Sequence, residues 1–167
     1  MIISKTPLRA SFFGGGTDFS TYYENSKVGY GTVVSTALDM YVYIIVNRKF
    51  DDNIRIVYSG NELVSRVDEV KHNIIREALK IYMADIPLSN AGIGLASSSA
   101  LAVGVLNALH AYKGEFVSQG VLAREACEIE INRLGQRIGI QDQFAVAHGG
   151  FSQYKFFNDG SVSITPV

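Results

Sequence analysis

The sequence predicts an α+β domain, with strands gathered early and helices in the middle. Three observations predict it. Between Ile2 and Tyr58, β-branched and aromatic stretches follow one another at the close spacing of an antiparallel meander. In three later stretches, apolar residues crowd or recur at three- and four-residue spacing, as on packed helices. Near the end, Asn158-Asp159-Gly160 separates two strand-like runs, a hairpin signal.

The first elements are strands and a glycine turn. Ile2 to Ser4 reads as a short strand, followed by Thr6-Pro7-Leu8-Arg9 and then Gly14-Gly15-Gly16-Thr17-Asp18. Three consecutive glycines permit a turn that side chains forbid. Two readings stand for its flanking charges. Arg9 and Asp18 are an ordinary surface cation and an N-capping carboxylate, or both face one cleft. In the cleft reading Arg9 meets a phosphoryl group and Asp18 meets substrate hydroxyls. Val28–Thr36 holds a glycine turn and a short strand, Asp39–Asn47 a strong strand, and Ile54–Tyr58 another. Val67 to about Tyr82 reads as an amphipathic helix with His72 on its solvated side.

The stretch Ala91-Gly92-Ile93-Gly94-Leu95-Ala96-Ser97-Ser98-Ser99-Ala100 comes next, and no clear strand precedes it. A glycine-rich turn feeding a helix N-terminus presents free N–H groups and a favourable dipole to an anion. There is no lysine for a Walker loop and no third glycine for a dinucleotide loop. A serine-capped turn and a phosphate loop of another kind both fit the composition. The helix after it, Ser98 to Tyr112, is apolar nearly all round and therefore buried.

Ser118 caps a helix reaching about Leu134. On an α-helical wheel Glu130 falls on the small, apolar face with Ala123, Ala126 and Cys127. A buried carboxylate needs a cation or a metal, and Arg133 and Arg137 are the candidate ion-pair partners. Twelve residues on, after Gly139, Asp142 opens a short apolar segment ending at His148. Asp142 reads either as an N-cap or as the second member of an acidic pair, one carboxylate for a metal and one for a proton. His110 sits near the end of the buried helix, where a cation suits the dipole.

Composition bounds the partners. The chain has 167 residues, 47% hydrophobic and 19% charged, enough for one domain with a core. A net charge of −1 without a long basic run argues against nucleic acid. A single cysteine, Cys127, excludes a disulfide framework and fits a reducing cytoplasm. No apolar run approaches the ~18 residues of a membrane helix. The opening stretch, interrupted by Arg9, is not a signal peptide.

Taken together, PLR with GGGTD, GLASSSA and GIQDQ resemble, in that order, the galactokinase, homoserine kinase, mevalonate kinase and phosphomevalonate kinase (GHMP) superfamily. The wording TPLRASFFGGGTDF, IEINRLG and IGIQDQFAVAHGGF is most similar to the D-glycero-D-manno-heptose 7-phosphate kinase branch, with fucokinase-type domains as relatives.

The resemblance implies a mainly antiparallel mixed sheet with helices packed on one face, the ribosomal protein S5 domain 2-like fold. It implies residues 1–167 as the N-terminal, ATP-binding domain, the usual C-terminal domain lying outside this chain. Exposed apolar surface at the missing junction makes a homo-oligomer an expectation. It further implies ATP- and Mg²⁺-dependent phosphorylation of an anomeric sugar hydroxyl, for nucleotide-sugar synthesis. Gly92, Gly94, Leu95, Ala96, Ser97, Ser98 and Ser99 would hold the nucleotide phosphates, with Ala96 where relatives usually carry glycine. Ser98 and Glu130 would hold Mg²⁺, Asp142 would act on the attacking hydroxyl, and Arg9 would lie near the moving phosphoryl group. Gly15, Gly16, Thr17 and Asp18 would contact the sugar phosphate.

Overall fold

The computed structural model describes residues 1–48, 53–83, 91–93 and 98–167. Seven strands and five α-helices are seen among them: β1 (Ile2–Phe13), α1 (Ser20–Tyr23), β2 (Tyr30–Val46), β3 (Ile54–Val57), β4 (Asn61–Val64), α2 (Asn73–Met83), β5 (Ala91–Ile93), α3 (Ser98–Lys113), α4 (Gln119–Cys127), α5 (Gln141–His148), β6 (Phe151–Phe157) and β7 (Val162–Pro166). The main sheet runs β1-β2-β6-β7, with β5 joined to the far end of β2, and β3 and β4 form a separate hairpin. Every pairing among the described residues is antiparallel.

The long strands correct the shorter ones read from the sequence. β2 is one strand of 17 residues rather than two. Its inward residues are Val33 and Ser35 in the first half, but Val42, Ile44 and Val46 in the second. The phase slips between them, where the β1 register also breaks between Pro7 and Arg9. A bulge re-aims the side chains around it. In sequence it looks like a gap between two strands.

α3 and α5 lie on β1 and β2, and α2 and α4 pack against α3. The opposite face leaves Ile3, Tyr41, Tyr43 and Ile45 exposed, so the helices cover one face only, as expected. α3 is buried along most of its length, and with Ile44, Val46 and Leu79 it forms the centre of the larger core. A smaller core of Tyr23, Val33, Phe144, Tyr154 and Phe156 sits beneath α5. No helix among the described residues is long and apolar enough to cross a membrane.

Two helices differ from expectation. The amphipathic stretch begins with a 3-10 turn, Val67–Glu69, and α2 starts only at Asn73. Between them the buried Glu62 carboxylate accepts from the N–H groups of Lys71 (2.6 Å) and His72 (3.1 Å) and from the Tyr58 hydroxyl (3.0 Å). Those N–H groups are thereby satisfied outside a helix. His72 is therefore not a solvated helix residue: it packs edge-on to Tyr58 with its Nδ1 buried. Ser118 caps α4 as expected, accepting from Val121 N–H at 3.3 Å. The single helix expected to reach Leu134 becomes α4 followed by a π-helical segment, Glu128–Arg133.

Candidate active site

The glycine turn at the end of β1 is fastened from within. At Gly14 (φ +85°) a Cβ would lie 1.9 Å from the Thr32 carbonyl oxygen, so only glycine fits. The Thr17 hydroxyl lies 2.8 Å from the carbonyl oxygens of both Gly14 and Thr32 and accepts from Thr32 N–H at 2.9 Å. Asp18 is only 1% exposed. Its carboxylate accepts from Gly16 N–H (3.1 Å), Gln141 N–H (3.0 Å) and Gln141 Nε2 (3.2 Å). Thr17 and Asp18 are thus both engaged by the protein itself. Gly15 and Gly16 are exposed.

Asp18 reaches α5, and α5 gathers the rest of the site. Successive residues of a helix diverge by about 100°. Gln141, Asp142 and Gln143 therefore reach three different parts of the fold. Gln141 accepts from the Ser11 hydroxyl (2.9 Å) as well as donating to Asp18. Asp142 takes the Arg9 guanidinium on Oδ2 at 2.5 Å, both side chains about one third exposed. Gln143 turns inward and donates from Nε2 to Glu130 Oε2 at 2.7 Å. The bulge beside Arg9 and the turn into α5 thus bring together residues 133 positions apart.

Glu130 and Gln143 are both 0% exposed. Neither arginine proposed as a partner of Glu130 meets it. Arg133 pairs with Glu77 and Glu128, and Arg137 is exposed. Among the described residues the side-chain partner of Glu130 is an amide rather than a cation. Glu130 Oε1, Gln143 Oε1 and Asp142 Oδ1 are buried with no hydrogen-bond partner. An ionised carboxylate only accepts, so an orphaned buried oxygen fits a cation. No group of three or more His, Cys, Asp or Glu side chains converges among the described residues. Mg²⁺ takes one or two carboxylates and fills its shell with phosphate oxygens and water. Burial and then the Glu130 charge push the neighbouring Cys127 thiol up to about 12.

Of the expected phosphate loop, Gly94, Leu95, Ala96 and Ser97 lie outside the described residues. A strand does precede them: Ala91–Ile93 pairs antiparallel with Ile44–Val46, so Gly92 is a strand residue opposite Ile45 rather than part of the loop. Ser98 is the exposed first residue of α3, and Ser99 is buried. The N-terminal end of a helix buried along its length presents its dipole from a low-dielectric wall.

Sequence reasoning missed Ser11, Gln141 and Gln143. The signal of the two glutamines was GIQDQ itself. Polar residues flanking Asp142 on a helix start must point away from it, and the inward one needs a buried polar partner.

The family model of the GHMP kinases N terminal domain matches residues 62–150. The chain belongs to the GHMP kinase family. It is 28% identical to a D-glycero-alpha-D-manno-heptose 7-phosphate kinase of Campylobacter jejuni, over 99% of this chain and 54% of that protein. It is 32% identical to a galactokinase of Pyrococcus furiosus, over 89% of this chain and 44% of that protein. A D-glycero-D-manno-heptose 1-phosphate kinase from Bacteroides thetaiotaomicron has the same fold, with a TM-score of 0.87 at 22% identity, over 100% of this chain and 60% of that one. The chain spans about half the length of the curated relatives it matches.

Proposed function

We propose that this chain is the ATP-binding part of a sugar kinase that phosphorylates the anomeric hydroxyl of a heptose phosphate. The observation that carries the reading is the pair of contacts made from the start of α5, Arg9 with Asp142 and Gln143 with Glu130, with one buried oxygen of each carboxylate left over. Phosphoryl transfer asks a protein for positioning and charge neutralisation more than for covalent chemistry.

Asp142, held by Arg9 through Oδ2, is the carboxylate to take the proton of the acceptor hydroxyl. The hydroxyl oxygen then bonds to the γ-phosphorus, and the bond to ADP breaks. An anomeric hydroxyl is more acidic than an ordinary alcohol, so a carboxylate suffices as base. Arg9 stands beside this carboxylate with further N–H groups to offer a phosphoryl oxygen. Glu130 Oε1 and Ser98 are the residues to hold Mg²⁺, which when bound would neutralise charge on the phosphates. The α3 N-terminus is the element suited to receive the phosphate chain. Asp18 and Thr17 shape the sugar side indirectly, by fixing the turn that exposes Gly15 and Gly16.

The heptose assignment is supported by the Campylobacter jejuni relative, matched along 99% of this chain. A galactokinase-like sugar is the competing reading, favoured by the 32% match to the Pyrococcus furiosus protein. ATP consumption assayed with heptose 7-phosphate, galactose and fucose separates them. Turnover with the heptose phosphate is expected. Turnover with galactose or fucose alone would overturn the heptose assignment, and none with any sugar would overturn the kinase reading.

A further inference from the structure

The chemistry of a metal-binding carboxylate does not by itself explain why the residue buried against Glu130 is a glutamine. We propose that Gln143 is a positioning residue that makes Glu130 a one-oxygen ligand. The inference rests on the reading of Glu130 as a cation ligand.

Both side chains are wholly buried, and the single hydrogen bond between them runs from Gln143 Nε2 to Glu130 Oε2. Oε2 is thereby engaged, and Oε1 alone remains free. A carboxylate with both oxygens free can grip a cation with either or both. A carboxylate with one oxygen tied presents the other in a set direction. Mg²⁺ demands near-octahedral geometry and tolerates misdirected ligands poorly. Groups that orient a metal ligand by hydrogen bonding set its affinity almost as strongly as the ligand itself.

A purely structural amide accounts for less. Gln143 leaves its own Oε1 unpartnered in the same buried layer as Glu130 Oε1. A structural pair in a protein interior satisfies its acceptors, because each orphan carries a desolvation cost. The placement also depends on two elements at once. Glu130 lies on the π-helical segment that continues α4. Gln143 lies two residues into α5, whose N-terminus Asp18 and Ser11 fasten through Gln141.

The test is Mn²⁺ binding to the protein with bound ATP, followed by electron paramagnetic resonance, beside thermal melting of each variant. Gln143→Leu removes the donor at similar volume, and Gln143→Asn keeps the amide but is too short to reach. Both are expected to weaken Mn²⁺ about 10- to 100-fold, with Asn no better than Leu. Glu130→Gln is expected to weaken it at least as much. The double variant Glu130→Gln with Gln143→Leu should be no weaker than Glu130→Gln alone. Wild-type Mn²⁺ affinity in both folded Gln143 variants, or additive losses in the double variant, would overturn the positioning role while leaving the kinase reading intact. Equal Mn²⁺ affinity in wild type and Glu130→Gln would overturn the metal reading itself, and this inference with it. Should Gln143→Leu fail to fold, Gln143→Asn and its double variant carry the same comparison.

Discussion

A side chain at Gly139 would collide with Asp18: a Cβ built there lies 1.9 Å from Oδ2 and 2.3 Å from Cγ. The contact welds the glycine turn after β1 to the start of α5. Gly139→Ala must therefore push the buried carboxylate off its three hydrogen bonds. The expected loss is about 1–3 kcal/mol from overpacking alone. Thermal melting checks it, and a variant melting with the wild type would show that the weld is slack.

Asp142→Asn keeps the volume at the Arg9 contact and removes the carboxylate proposed as proton acceptor. The turnover number is expected to fall about 10²- to 10⁴-fold with ATP affinity unchanged. Steady-state kinetics with calorimetry of nucleotide binding reads both quantities. Full activity in the variant would remove Asp142 from the chemistry.

His110 bridges Glu115 (2.9 Å) and Glu125 (2.8 Å), tying the end of α3 to α4. Burial pulls its pKa down, but the hydrogen bonds with Glu125 and Glu115 outweigh this and raise it above 6.5. A raised histidine pKa stabilises the fold fully below the unfolded value and loses that effect as pH rises through the folded one. Wild type should therefore exceed His110→Gln in melting temperature by more at about pH 6 than at about pH 8.5. An equal gap at both would show that the imidazolium contributes nothing.

Glu62 works in the opposite sense. Burial raises its pKa, yet the bonds from Lys71 N–H, Tyr58 and His72 N–H win and hold it below 4.5. Its contribution is present above 4.5 and is lost as pH falls through the lower folded value. The melting temperature of wild type should drop more steeply than that of Glu62→Gln on acidification below that point. Parallel curves would contradict this.

The sequence was legible where periodicity and turn chemistry act locally. The buried α3, the Ser118 cap and the hairpin at Asn158-Asp159-Gly160 all arise from neighbours in the chain. The acidic residues at 130 and 142 could also be singled out, the first as a carboxylate on an apolar face and the second as one opening a helix after a glycine. Their partners could not. Gln143 is close in sequence to Asp142 yet serves Glu130, and Asp18 serves a helix 123 residues away. The phase slip in β2 and the switch from α4 to the π-helical segment escaped for one reason. Each is a one- or two-residue change of register, set by what packs on the far side.

That π-helical segment gives the site an unusual dependence. Its wider turn closes with Leu134 N–H on the Ile129 carbonyl, five residues back. On an α-helical wheel Glu130 already faces inward with Ala123 and Ala126, while Ile129 falls about 100° away from it. The wider turn lets both neighbours be wholly buried at once. The burial of this carboxylate beside an isoleucine is thus a matter of the segment's winding as much as of its composition.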